Sequence, residues 1–265
     1  MPEGPECTIT AEGLNYYCAN RTLTSVKVIS GRYLKTPLAN IDTLQDLKIL
    51  AVKNKGKFIY WSLSSEIYLF STLGMSGTYS TTKTPHTRVV FTLDKTLEVC
   101  YNDVRNFGTL KVANRLDLEK KLKEIGPDML NGACSFPGFL KIIEKNKGKI
   151  LGPFLLDQKK ISGIGNIYKA EVCYEASVDP SRTLSSFSRE ELHRIYLSIL
   201  KILTLAYKYG GSSQKDFQSV NGTLGTFLTD CANVYHRATD RLGNPVTSVS
   251  LGDGRTTWWC PNVQK

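Results

Sequence analysis

Apolar and polar positions fall into two textures that meet near residue 130. The stretch from Gly4 to Asn20 reads as a helix with Pro5 in its opening turn, where a missing N–H costs nothing. The next hundred residues read as strands. Leu23–Ile29, Lys57–Leu63, Ile67–Leu73, Arg88–Leu93, Leu97–Tyr101 and Thr109–Val112 are rich in β-branched and aromatic residues, and Gly, Ser, Asn and Asp interrupt them at short intervals. That rhythm predicts a β-sandwich or barrel-like domain. A helix over Leu116–Ile125 closes this half and stops at Gly126-Pro127.

From Ser135 the period becomes helical. Ser135-Phe136-Pro137 opens one helix, Ile150–Asp157 is a second apolar stretch, and a third runs from about Asn166 to Ala176. The fourth is the most clearly marked. Ser188 and Glu191 form a capping box, and Leu192, Ile195, Ile199, Ile202, Leu203 and Ala206 recur on one face until Gly210-Gly211 ends the helix. Val234 to Gln264 alternates again around turns at Leu242-Gly243-Asn244-Pro245 and Gly252-Asp253-Gly254, the pattern of a β-hairpin. The prediction is an α+β protein without repeats. Residues 1–130 form an N-terminal β-sandwich with flanking helices, 131–229 a helical domain, and 230–265 an antiparallel β-hairpin.

The chain has 265 residues, room for two cores, and its 41% hydrophobic content excludes a disordered tail. A net charge of +10 favours a polyanionic partner, nucleic acid or an acidic membrane surface, although a basic protein without such a partner has the same balance. No run of 18 apolar residues is present, so no membrane span is expected. The opening Met1-Pro2-Glu3-Gly4-Pro5-Glu6 is acidic and Pro-rich, unlike a signal or transit peptide. Seven cysteines (7, 18, 100, 134, 173, 231 and 260) never form a Cys-x-x-Cys pair, the usage of a reduced, intracellular protein that is not secreted.

Five segments carry candidate chemistry. Once Met1 is removed, Pro2 is a secondary amine that titrates far closer to neutrality than a lysine, and Glu3 and Glu6 place two carboxylates beside it for proton transfer. A helix start with ordinary Pro and Glu preferences has the same composition. Lys57 opens a strand after Lys53-Asn54-Lys55, placed to hold a phosphate or simply to solvate a hairpin tip. Met75 in Leu73-Gly74-Met75-Ser76-Gly77, and Arg105 and Phe107 in the run from Tyr101 to Gly108, sit on glycine-flanked turns. Bulky side chains projecting there can fill the hole left by an extruded base; core packing near turns is the plainer alternative. Ser162-Gly163-Ile164-Gly165-Asn166 enters a helix with its amides arranged for a phosphate, directly after Asp157-Gln158-Lys159-Lys160. Arg255, at the second hairpin turn, can clamp a phosphate or solubilise a loop.

These five pieces, in this order from Pro2 to Gln264, resemble the formamidopyrimidine-DNA glycosylase and endonuclease VIII family. Its most specific signals here are Pro2-Glu3-Gly4-Pro5-Glu6 and Ser162-Gly163-Ile164-Gly165-Asn166-Ile167-Tyr168. The resemblance implies a β-sandwich and a helix–two-turn–helix DNA-binding domain flanking a basic cleft. It implies a DNA-repair enzyme, a bifunctional DNA glycosylase and abasic-site lyase of base excision repair. Such an enzyme removes oxidised bases and cuts the strand by β,δ-elimination through a Schiff base. Pro2 is then the nucleophile, Glu3 the acid at the deoxyribose ring, Glu6 a second carboxylate and Lys57 the lysine at the catalytic phosphates. Asn166 and Arg255 are phosphate clamps, Lys159 a further backbone contact, and Met75, Arg105 and Phe107 the void-filling triad of the formamidopyrimidine branch. Gln214, Phe217, Gly222 and Gly225 lie in a segment similar to the loop that folds over the everted purine, which a flexible connector would also fit. The expected partner is damaged double-stranded DNA, with abasic or single-stranded DNA open. No membrane, metal or small-molecule cofactor is expected, and the chain is expected to act as a monomer where the DNA is.

Three departures stand out. Thr72 replaces a His, and Val104 and Asn106 replace a Pro and an Arg in a loop that the exchange is expected to loosen. The family's terminal zinc finger has four cysteines, but only Cys260 stands in this hairpin, and Cys231, His236 and Cys260 give three ligands at best where zinc needs four. The resemblance is therefore to zincless-finger members of eukaryotes and large viruses. A non-catalytic DNA-binding module would need neither Pro2 nor Glu3. A metal-dependent nuclease would need a carboxylate or His cluster, for which three histidines (86, 193 and 236) are poor material.

Overall fold

The computed structural model describes residues 2–213 and 217–265. Contacts divide the chain into two compact units, Met1–Glu124 with Tyr209–Thr226, and Ile125–Lys208 with Phe227–Lys265.

The first unit holds α1 (Gly4–Cys18), β1 (Thr22–Val28), α2 (Arg32–Lys35), β2 (Leu47–Lys55), β3 (Phe58–Leu63), β4 (Ile67–Thr72), β5 (Gly77–Ser80), β6 (Thr87–Leu93), β7 (Leu97–Asp103), β8 (Thr109–Asn114) and α3 (Arg115–Glu124). The strands run antiparallel in the order β5-β7-β6-β1-β2-β3-β4-β8. β2 is the corner: Leu47 and Lys48 pair with β1, and after a register shift Ala51 to Lys55 pair with β3. A strand that changes partners across an irregularity lets one sheet fold onto itself as a sandwich. The ring of Trp61 on β3 lies 5.2 Å from Phe91 on β6 and 6.0 Å from Tyr79 on β5, which places the core between the two halves. Burying each such ring contributes roughly 1.5–3 kcal/mol. α1 docks on β2, burying Ala11, Leu14 and Cys18, while Val52 N–H donates to Asn15 Oδ1 at 2.9 Å.

Two strands, β2 and β5, were not expected. β2 carries three lysines and few fully buried side chains, and β5 is four residues between a turn and a Ser-Thr stretch. The segment Tyr209–Thr226, placed above with the helices, packs with the β unit instead: Val220 joins its core, and a Cβ on Gly13 would come within 2.9 Å of Val220 Cγ2.

The second unit contains α4 (Phe136–Glu144), α5 (Leu151–Leu156), α6 (Asn166–Glu175), α7 (Arg189–Lys208), α8 (Phe227–Asp230) and the hairpin β9 (Thr247–Ser250) with β10 (Thr256–Trp259). The whole apolar stripe of α7 is buried, and its capping box closes as read. Glu191 N–H donates to Ser188 Oγ at 3.2 Å and Ser188 N–H to Glu191 Oε2 at 2.8 Å. Phe139, Phe154, Tyr168 and Phe227 fill the core. The hairpin pairs over only four positions on each strand. Among the described residues no helix is long and apolar enough to cross a membrane.

Candidate active site

Pro2 and Glu3 lead directly into α1, and both are buried. Glu3 stands at the N-cap in extended conformation, and its N–H donates to Glu6 Oε2 at 2.7 Å. Glu6 is fully buried, and its other oxygen accepts the N–H and hydroxyl of Ser212 at 2.7 and 3.0 Å. Three donors on one carboxylate make Glu6 a brace. It fixes the backbone of Glu3, and with it the direction in which Pro2 enters the helix.

The same brace holds a neck in the chain. Gly211 has φ +84°, and a Cβ there would come within 2.8 Å of Glu6 Oε1. A Cβ on Gly225 would come within 2.2 Å of Gly210 O, so the two strands of the neck cross backbone against backbone. Thr226 N–H donates to Tyr209 O at 2.8 Å, and Gly225 N–H to Ser213 Oγ at 2.6 Å. Phe217 is buried, Gly225 belongs to the neck, and Gly222 sits on an exposed turn at φ +87°. Gln214 lies outside the described residues.

Lys57 is half-buried in the two-residue turn Gly56-Lys57, one position ahead of the strand it was expected to open. Gly56 takes φ +55° at the first turn position, as tight hairpins favour. The turn is tied to α1: Asn54 Nδ2 donates to Thr8 Oγ1 at 2.9 Å and to Gly56 O at 3.1 Å. The turn that carries the lysine is thus tied to the helix that Pro2 and Glu3 lead into.

Met75, Arg105 and Phe107 come together on two adjoining loops. Gly74 at φ +58° lies so close to Phe107 and Gly108 that a Cβ would meet their backbones at 2.7 Å. Arg105 Nη1 approaches Met75 Sδ at 3.8 Å, and Phe107 is 59% exposed. Asp103, buried and not singled out in the sequence, organises the pair. Its Oδ1 accepts Ser76 Oγ at 2.6 Å and Arg105 N–H at 3.2 Å, and its Oδ2 accepts Gly108 N–H at 2.8 Å. Arg88 Nε and Arg32 Nη1 bind the carbonyls of Asp103 and Asn106. Asn106 adopts φ +55°, a conformation that asparagine tolerates. The loop expected to loosen is therefore closed by hydrogen bonds on both sides.

In the second unit, Gln158 braces the glycine-rich turn: its Oε1 accepts Gly163 N–H at 3.0 Å and its Nε2 donates to Leu156 O and Ile164 O. Lys159 is exposed beside it. Asn166 opens α6, and its Nδ2 donates to Thr256 O at 2.9 Å, next to the exposed Arg255. Two further α6 side chains hold the hairpin region. Glu171 accepts the N–H groups of Asn233, Val234 and Tyr235 at 2.7, 3.0 and 2.8 Å. Burial pushes its carboxyl above the usual carboxylate range, and these hydrogen bonds offset the rise in part. Lys169 pairs with Asp253 at 3.1 Å. Charged residues on the buried face of an otherwise apolar helix were the available signal for both.

The zinc site that the resemblance raises does not fit these residues. Cys260 is buried in an apolar cluster with Ala170 and Val234, and its N–H donates to Gln264 Oε1 at 2.7 Å. His236 packs its ring against Tyr235 and Trp258. Among the described residues no three His, Cys, Asp or Glu side chains are grouped to hold a metal ion. Burial pushes the thiols of Cys18 and Cys173 up to about 12, so both are packing residues at neutral pH.

Residues 1–110 match the formamidopyrimidine-DNA glycosylase N-terminal domain, and residues 125–218 the formamidopyrimidine-DNA glycosylase H2TH domain. The chain is 31% identical to the formamidopyrimidine-DNA glycosylase of Listeria innocua over 277 residues, covering 100% of both chains. It is 34% identical to that of Thermus thermophilus over 273 residues, covering 100% of this chain and 98% of the relative. Among solved structures, the MutM (Fpg) protein of Thermus thermophilus is similar at a TM-score of 0.88 and 31% identity, covering 99% and 98% of the two chains. Lactococcus lactis Fpg, solved in complex with DNA containing an abasic site, is similar at a TM-score of 0.88 and 26% identity, covering 99% of each chain. Matched in both domains and along its whole length, this chain belongs to the formamidopyrimidine-DNA glycosylase family of DNA-repair enzymes.

Proposed function

We propose that the protein is a bifunctional glycosylase and abasic-site lyase that uses Pro2 as its nucleophile. The carrying observation is the arrangement Pro2–Glu3–α1, in which Glu6 holds the Glu3 backbone in place. The Pro2 nitrogen lone pair forms a bond to C1′ as the glycosidic bond breaks; the base leaves with that bond's electron pair and takes up the N–H proton of Pro2, which restores the nitrogen lone pair. Glu3 donates a proton to O4′, the C1′–O4′ bond opens, and an iminium remains at C1′. Loss of a C2′ proton expels the 3′ phosphate, a second elimination expels the 5′ phosphate, and water releases the sugar fragment from Pro2. The substrate is damaged duplex DNA inside the cell, bound by one copy of the chain. Support for this partner comes from the net charge of +10 and from the abasic-DNA complex of the Lactococcus lactis relative.

In this reading Lys57, Asn166 and Arg255 hold phosphates, Lys159 adds a contact, and Met75, Arg105 and Phe107 occupy the space of the extruded base. Ring-opened and further-oxidised purines are good substrates. Oxidised pyrimidines are also accepted, because a pocket sized for a purine admits them. A panel of formamidopyrimidine, hydantoin, 8-oxoguanine and thymine-glycol duplexes under single-turnover conditions tests this, and cleavage of pyrimidine lesions alone would refute it.

Two expected outcomes concern the machinery. Cleavage of lesion and abasic duplexes should persist in EDTA and leave phosphate at both ends of the gap, while elemental analysis finds zinc well below one atom per chain. Stoichiometric zinc, or loss of cleavage on chelation, would refute the metal-free hairpin. Lys57→Ala and Arg255→Ala should each lower the log–log salt slope of DNA binding by about one, on all sequences alike. Both should impair base removal more than lyase action on a pre-formed abasic site. An unchanged slope in either variant removes that residue from the phosphate contacts.

A further inference from the structure

The turn that carries Arg255 has little to stiffen it locally. Gly252 and Gly254 both take positive φ, at +79° and +68°, and the hairpin behind them pairs over only four positions. α6 supplies what the turn lacks. Lys169 has no exposed side-chain surface, and its Nζ meets Asp253 Oδ2 at 3.1 Å, with the Asp253 side chain only 8% exposed. The other oxygen, Oδ1, accepts the backbone N–H of Arg255 at 2.9 Å. One turn earlier on α6, Asn166 Nδ2 donates to the carbonyl of Thr256. Residues three apart lie on one helix face. The same face therefore grips the hairpin two residues before Arg255 and one residue after it.

We propose that the buried Lys169–Asp253 pair is a positioning device, which sets Arg255 at a fixed spacing from Asn166 so that the two engage the DNA backbone in register. The proposal rests on the reading of Arg255 as a phosphate contact. A desolvated ion pair adds little net stability over an apolar pair of the same size, but it fixes geometry, because either charge left alone is costly. Here one carboxylate joins the helix to the backbone of the residue it positions.

The test measures binding to a duplex holding tetrahydrofuran, a stable abasic analogue, across a salt series. On charge alone, Asp253→Asn removes a negative group near the DNA and should tighten binding and steepen the salt slope. Positioning predicts the reverse: about tenfold weaker binding and a slope lower by about one, matching Arg255→Ala. Adding Asp253→Asn to Arg255→Ala should cost nothing further, since the two act as a unit. The paired change Lys169→Met with Asp253→Leu keeps the site filled without charge, so it should melt near the parent temperature and still lose the same slope. If Arg255→Ala lowers the slope while Asp253→Asn leaves it unchanged or steeper, or if the folded Met–Leu variant keeps the parent slope, the positioning role is wrong. An unchanged slope for Arg255→Ala removes the phosphate reading itself, and the proposal with it.

Discussion

Sodium borohydride added during turnover of an abasic duplex should reduce the iminium and leave one chain covalently fixed to the DNA, with the adduct on Pro2 by peptide mapping. A single residue retained ahead of Pro2 should abolish it, because the amine becomes an amide whose lone pair is delocalised. The loss in strand cleavage should exceed about 10³-fold, as expected when a nucleophile is removed. An α-amine titrates near 8 and a lysine near 10.4, so at neutral pH the neutral fraction of the former is larger by roughly two orders of magnitude. Glu3→Gln separates nucleophile from acid. The backbone N–H that Glu6 holds remains, so fold and DNA binding should survive, while turnover falls by about 10²–10⁴-fold with loss of the general acid. An adduct that persists in the blocked protein would assign the chemistry to a lysine, with Lys57 on its nearby turn examined first.

How much of this was readable from residues alone depends on whether the signal was local. α7 announces itself through a complete apolar stripe and a reciprocal cap, and both are realised atom for atom. β2 does not. It is a corner strand whose pairing is split between two neighbours, so its side chains follow no single buried face, and its lysines read as a basic loop. The candidate residues were found because their chemistry is unusual where they stand: a proline that can become terminal, a lysine after a turn glycine, an arginine on a hairpin tip. Their supports escaped because each works through a partner distant in sequence. Glu6 reads as a proton-transfer carboxylate beside Pro2, and its bracing role shows only when Ser212, 206 positions away, is folded against it. Asp103 looks like the end of a strand until Ser76, Arg105 and Gly108 converge on it. The Tyr209–Thr226 segment was assigned by chain order to the helices it follows, but the buried Phe217 and Val220 and the glycine crossing fix it to the first unit.

Glu171→Ala should strongly destabilise the second unit. The carboxylate is the acceptor for three successive backbone N–H groups, those of Asn233, Val234 and Tyr235, which lead into the hairpin region. Truncation leaves those donors inside the protein without it. A buried donor deprived of its acceptor costs about 1–3 kcal/mol, so the loss should be roughly 3 kcal/mol or more. DNA affinity should fall with it, since Arg255 is carried on the hairpin that follows. Glu171→Gln keeps one acceptor oxygen and should cost less. The pH dependence of that difference has a definite sign. Burial raises the folded-state pKa of Glu171 above its unfolded value, so the contribution linked to its proton is fully present below the unfolded pKa. It is lost as the pH rises through the folded value. The uncharged glutamine has no such loss, so the stability advantage of the parent over Glu171→Gln should shrink as the pH rises above about 4.3, the ordinary glutamate value. Thermal melts of parent, Ala and Gln proteins between pH 4 and 8 check both statements. A Glu171→Ala protein that melts with the parent would show that the three amides find other acceptors and that the hairpin is held elsewhere, while an advantage that widens with pH would place the folded-state pKa below the unfolded one.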